Sequence, residues 1–152
     1  MPTTHTVDCN AGEKIQDKVA TAQPGDTILV SDNCGEHGIS VNRQSSARIV
    51  GNTIEGSKKS GILVTRNSQA EVFGNAISGN AGSGITASHN AGVNMTNEDK
   101  LFDLGPNRTE AKNAGFGLSG AVGGYVDGPI GTLTGTKGVK EMDGTCVDRL
   151  TQ

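Results

Sequence analysis

Three stretches of this chain repeat one another at a fixed offset of 23 residues, and that period limits the folds open to it. Gly51-Asn52-Thr53-Ile54-Glu55-Gly56 returns as Gly74-Asn75-Ala76-Ile77-Ser78-Gly79. Gly38-Ile39-Ser40-Val41 returns as Gly61-Ile62-Leu63-Val64 and again as Gly84-Ile85-Thr86-Ala87. Ala47-Arg48-Ile49-Val50 returns as Ala70-Glu71-Val72-Phe73, then as Val93-Asn94-Met95-Thr96. All three registers run ungapped across residues 38–97. Within each unit apolar residues alternate with polar ones, and Gly and Asn break the runs, which is the pattern of short strands and turns. No stretch of the repeat has helical spacing, and the several Leu per unit of a leucine-rich repeat are missing.

Three short strands and three turns per unit predict a parallel β-helix, an all-β solenoid of roughly four coils. Ile39, Ile62 and Ile85 then stack inward, as do Val41, Val64 and Ala87, and Ile54 with Ile77. Each coil buries its apolar stripe only against its neighbours, so stability accumulates along the axis. Two polar columns fit the turns: Asn52 with Asn75, and Gln44 with Asn67 and Asn90. Asn tolerates left-handed backbone and can bond its counterpart one layer away, so both columns are expected to be structural ladders.

Composition agrees with many thin layers rather than one large core. The 152 residues include 23 Gly, one Tyr, three Phe and no Trp, and 33% are hydrophobic. A net charge of −3 lacks the high charge that marks disordered chains. Sixteen acidic against thirteen basic residues give no reason to expect nucleic acid as a partner. No apolar run approaches a membrane span, and Met1-Pro2-Thr3-Thr4 reads as the start of a mature chain without a signal peptide.

The chain divides into an N-terminal cap (1–37), the repeats (38–97) and a Gly-rich C-terminal segment (98–152). An open solenoid end exposes unpaired strand groups and needs cover. Ile15, Val19 and Ala22 form an amphipathic stripe over residues 11–22, with Asn10 and Glu13 placed as a capping box, so an N-terminal capping helix is expected. After Thr96 the register fades. The final segment is expected to serve as a cap, as a docking surface for another subunit, or as a partly mobile tail. Cys9 and Cys34 lie 25 residues apart, close to one coil, which places them on adjacent layers within bridging reach; the alternative is two buried free thiols. Cys146 is left over. No CxxC pair is present, and neither a metal nor a cofactor is expected.

Val7-Asp8-Cys9, the stretch with Ile15-Gln16, Pro24-Gly25-Asp26-Thr27-Ile28-Leu29-Val30 and Cys34 resemble the opening of bacterial right-handed parallel β-helix proteins. The Gly-Asn-x-Ile-x-Gly and Gly-Ile-x-Val units resemble their pectin-lyase-like repeats. The tail, with Gly128-Pro129-Ile130-Gly131-Thr132-Leu133 and Cys146-Val147-Asp148, is similar to exported members with no assigned function. The resemblance covers nearly the whole chain and implies a right-handed coil and a secreted or surface location. It implies a short member of the group, with Asp32 to Gly38 the place where coils are missing. It does not select an activity, because the group holds lyases, hydrolases, epimerases, tailspikes and structural proteins alike.

The residues themselves argue against a hydrolase within the repeats. Hydrolysis needs carboxylates on neighbouring coils, and a lyase or epimerase needs a base beside a group that neutralises the uronate. The outward column Ser40, Leu63, Thr86 holds no acid, and Glu55 is followed one coil later by Ser78. Asp32, Glu36, Asp99 and Asp103 read as solvated turn residues at the rims. One column stands out: Arg43, Arg66 and His89, three basic side chains about 4.8 Å apart that can face one acidic glycan. The bland alternative is a solvated turn ridge. The expectation is an exported, non-catalytic surface or carbohydrate-contact module with an acidic polysaccharide as partner. The alternatives are a polysaccharide lyase or epimerase, and a homo-oligomeric assembly protein held by its tail.

Overall fold

The computed structural model describes residues 1–8, 11, 13–14, 17–18, 20–23, 36–98, 100 and 103–152, with the backbone alone over 27–31. Among the described residues, fourteen strands form three parallel sheets, the three sides of a solenoid. The first sheet takes β1 (Thr4–Asp8), β2 (Thr27–Ser31), β5 (Thr53–Glu55) and β8 (Ala76–Ser78), in that order. The second stacks β3 (Ile39–Val41), β6 (Ile62–Thr65), β9 (Ile85–Ser88), β11 (Phe116–Ala121) and β13 (Gly138–Met142). The third stacks β4 (Ser46–Val50), β7 (Gln69–Phe73), β10 (Gly92–Asn94), β12 (Tyr125–Pro129) and β14 (Val147–Thr151). The five strands of the second and third sheets mark five turns, where the sequence suggested about four.

The core is a set of inward columns. Ile39, Ile62 and Ile85 stand in direct parallel register, and Leu118 continues the stack; Ile62, Ile85 and Leu118 are fully buried. Ala47, Ala70, Val93 and Val126 form the matching column of the third sheet. Side chains alternate across each strand, so one residue of slip would turn every apolar group outward.

Residues 98–152, expected as a cap or assembly segment, contain two further coils. The Gly-Ile-x-Val pattern degrades there, and the interval changes from 23 to 33 residues after the third coil. The extra chain lies between β10 and Arg108, which bridges back to Ala76 in the first sheet. Leu104 in this insertion sits over a corner of two glycines: a Cβ on Gly74 would lie 2.9 Å from it, and Gly74 has a φ of +69° that favours glycine. Beyond the insertion the interval returns to about one coil, 22 residues from Gly123 to Thr145.

The expected N-terminal capping helix is not supported. Among the described residues no helix stands as an element; Ile15, Val19 and Asn10, which carried that expectation, lie outside them. The described part of that stretch holds only a fragment: Asp17 and Lys18 have helical backbone, the Asp17 amide donates to the Lys14 carbonyl at 3.1 Å, and Ala22 donates to the Lys18 carbonyl at 3.0 Å. Glu13 does act as a cap, but on Asp8, whose amide donates to its carboxylate at 2.9 Å. Cys9 and Cys34 also lie outside the described residues, so their pairing is not described; Cys146 is a free thiol.

Candidate functional site

The outer face of the third sheet carries an uninterrupted polar column. Parallel register aligns Arg48, Glu71, Asn94, Asp127 and Arg149, one per coil. Beside it run Ser46, Gln69, Gly92, Tyr125 and Val147. A shallow groove of about 710 Å³ lies over the first three coils, lined by Ser46, Ala47, Arg48, Gln69, Ala70, Glu71 and Asn94. Gly92 is what lets Gln69 lie across the sheet: a Cβ there would collide with the Gln69 Oε1.

Most of these side chains are held. Arg48 pairs with Glu71 one coil away and lies over the Phe73 ring, 5.9 Å from its centroid. Both members of the pair are well exposed, so it contributes about 0–1 kcal/mol and serves mainly to fix position. The Asn94 amide donates to Glu98 at 3.3 Å and its oxygen accepts from the Thr96 amide at 2.9 Å. Tyr125 donates its hydroxyl to Asp127 at 2.9 Å, which pushes the phenol above its ordinary range, and Arg149 stacks over its ring at 5.8 Å. Adjacent coils are about 4.8 Å apart, so the face offers donors and acceptors at a regular spacing along the axis.

The basic column borders this face. Arg43, Arg66 and His89 have φ of 59°, 55° and 54°, and the next residues, Gln44, Asn67 and Asn90, have 61°, 58° and 57°. Each pair makes a left-handed turn that leads from the second sheet into the third. All six side chains are exposed. The ladder here runs through the backbone: the Gln44 amide donates to Arg66 O, Asn67 to His89 O and Asn90 to Val122 O, each at 3.0 Å. The side chains of Gln44, Asn67 and Asn90 therefore suit the column by tolerating the turn. His89 Nδ1 lies 3.2 Å from the Ser88 hydroxyl and 3.4 Å from that of Thr65.

The basic column gives way to Val122 on the fourth coil, a β-branched residue at φ 51° that is 53% exposed. Such a conformation is strained for valine. Asp143 helps to hold it by accepting the Val122 amide at 2.9 Å. That bond and two from Thr145 keep the Asp143 carboxyl well below the usual carboxylate range. Val122→Asn is expected to stabilise the protein by about 1 kcal/mol, a rise of roughly 2–4 °C in Tm. An unchanged or lower melting midpoint in a thermal scan would count against the strain.

Asn52 and Asn75 form a side-chain ladder. The Asn75 oxygen accepts from the Asn52 amide at 2.9 Å, and Asn107 repeats the arrangement on Asn75 at 3.1 Å. Sequence reading missed a second ladder, in which Asn80 accepts from the Ser57 amide at 3.0 Å and Asn113 from the Asn80 amide at 3.2 Å. Its signal is Asn80 and Asn113 falling on the 33-residue interval. Asn107-Arg108-Thr109 matches the glycosylation triplet, but the Asn107 side chain is spent on this scaffold and is 1% exposed. Glu36, read as a solvated rim residue, pairs with Lys59 at 3.0 Å.

Among the described residues no cluster of His, Cys, Asp or Glu could hold a metal ion, and no helix is long and apolar enough to cross a membrane. Residues 26–99 match the family model described as a right-handed β-helix region. Neither a curated protein nor a solved structure matches the chain. The repeat, the three parallel sheets and this match agree that the chain is a right-handed parallel β-helix protein.

Proposed function

We propose that this solenoid is an exported, non-catalytic module that contacts acidic polysaccharide along the outer face of its third sheet. The observation that carries the reading is the groove lined by Ser46, Arg48, Gln69, Glu71 and Asn94, bordered by the basic turns of Arg43, Arg66 and His89. A sugar chain lying along the axis would meet hydroxyl-binding amides on the sheet and cationic groups on the rail. Export rests on the resemblance to exported proteins. The non-catalytic part rests on commitment of the two carboxylates in the column: Glu71 pairs with Arg48, and Asp127 accepts from Tyr125.

Glycan-array binding followed by titration with an acidic polysaccharide tests this reading. Binding should weaken as salt rises, since exposed charges are screened over about 10 Å at 0.1 M. The R43A/R66A/H89A variant is expected to bind at least about tenfold more weakly, a loss of about 1.4 kcal/mol. Binding equal to that of the parent would sink the rail.

A second reading, a lyase or epimerase, draws support from the same column. Glu71 and Asp127 stand two coils apart with Asn94 between them and arginines at both ends, a pair of acids that the 23-residue interval does not align. Release of unsaturated uronate, followed by its ultraviolet absorbance, would favour this reading over simple contact.

A further inference from the structure

We propose, resting on the carbohydrate-contact reading above, that Arg149 stacked on the Tyr125 ring is a second anion anchor, which takes a carboxylate of the same glycan two coils beyond the basic turns. The two ends of the outer column of the third sheet are built alike. Each ends in an arginine that lies over an aromatic ring of the neighbouring coil: Arg48 over Phe73 at 5.9 Å, and Arg149 over Tyr125 at 5.8 Å. Each arginine also has a carboxylate in register on that neighbouring coil, Glu71 for Arg48 and Asp127 for Arg149.

The two ends differ by one oxygen. Phe73 has no polar side-chain atom, and Glu71 closes on Arg48. Tyr125 carries a hydroxyl, which donates to Asp127 on its own strand at 2.9 Å. The carboxylate placed to pair with Arg149 is thereby occupied. Among the described residues Arg149 makes no ion pair, and its partner is the Tyr125 ring. Asp148 alternates to the opposite face of the strand, where Lys140 holds it. Val147, in register with Tyr125 and 46% exposed, brings no competing acceptor.

Such a guanidinium is a prepared receptor. The ring fixes its plane before any ligand arrives, while the side chain as a whole stays exposed. Its planar fork matches a carboxylate through two parallel hydrogen bonds. With coils about 4.8 Å apart, Arg149 lies about 10 Å along the axis from His89 and about 19 Å from Arg43. It also stands in mid-strand, whereas the basic residues stand in the turns that precede their strands. A glycan that lies on those turns and crosses the groove obliquely reaches Arg149 only if it is longer than the few sugars that cover the turns.

Ligand length supplies the test. Oligogalacturonides of three and of eight units are titrated into the parent and its variants by calorimetry. R149A should bind the octamer about fivefold more weakly than the parent does, the upper value for an exposed ion pair, and should bind the trimer equally well. R149K should lose most of the same affinity, because an ammonium keeps the charge without the stacking or the fork. Y125F should also weaken the octamer, because it releases Asp127 to Arg149. Tyr125 is the only tyrosine of a chain without tryptophan, so intrinsic emission reports on this site alone, and the octamer should change it in the parent. Equal octamer affinity for the parent and R149A overturns the anchor, as does tyrosine emission indifferent to the octamer. An equal loss for the trimer would place Arg149 within the first contact and overturn it as well. No octamer binding by the parent would overturn the carbohydrate reading and the anchor with it.

Discussion

Replacement of Asn75 by alanine is expected to destabilise the protein by about 3–5 kcal/mol and to lower its melting temperature by roughly 10 °C. Asn75 is fully buried, and its side chain serves three coils at once. Its oxygen accepts from the Asn52 amide at 2.9 Å. Its nitrogen donates to Ile49 O at 2.9 Å, to Phe73 O at 3.1 Å and to the Asn107 oxygen at 3.0 Å. Alanine removes all of these and leaves backbone groups in the turn without a partner, each costing about 1–3 kcal/mol if no water replaces it. Asn75→Asp should be no better, because it sets a carboxylate against two carbonyl oxygens. Asn67→Ala is the control. Asn67 is exposed, its ladder bond comes from the backbone, and only its φ of 58° matters, so alanine there should cost about 1 kcal/mol and glycine close to nothing. Urea denaturation of the four variants checks the order. Equal losses at positions 75 and 67 would mean that the buried side-chain ladder has no special weight.

The contrast between these two columns marks the limit of what the residue pattern reveals. Asn recurs at 52 and 75 and at 67 and 90, and in both places it signals a turn. Only the backbone geometry separates a side chain that bonds across coils from one that merely accepts a left-handed conformation. The inward columns were legible because three copies align without a gap. Leu118 and Val126 were not, because the insertion after β10 displaces them to a 33-residue interval, while the strand Gly117-Leu118-Ser119-Gly120 has lost the β-branched residues that carried the signal. The same displacement hid the candidate site. Arg48 and Glu71 are visible as neighbours at 23 residues, but Asp127, Arg149 and Tyr125 join their face only after the longer interval is known. The helix expected over residues 11–22 rested on Ile15, Val19 and Ala22, and only Ala22 of these lies among the described residues.

Ile62→Ala is expected to cost about 2–5 kcal/mol, with the value towards the upper end of that range. The reason lies in how little the site can collapse. Ile62 is fully buried between Ile39 below and Ile85 above. Backbone bonds fix the coils at their spacing: Ile39 N to Gly61 O at 2.9 Å and Ile62 N to Gly84 O at 2.8 Å. Closing a cavity at position 62 would stretch those bonds, so the void stays open and the neighbouring isoleucines lose their contacts outright. The first coil differs. Ile39 is only partly buried, and fewer apolar contacts depend on it, so Ile39→Ala should cost distinctly less. Stability in a solenoid is close to a sum of coil and interface contributions, and Ile62 belongs to two interfaces where both neighbouring coils are complete. Urea midpoints for the two alanine variants, measured with the slope shared, give the comparison. If Ile62→Ala cost no more than Ile39→Ala, the central stack would not be the element that ties the coils together.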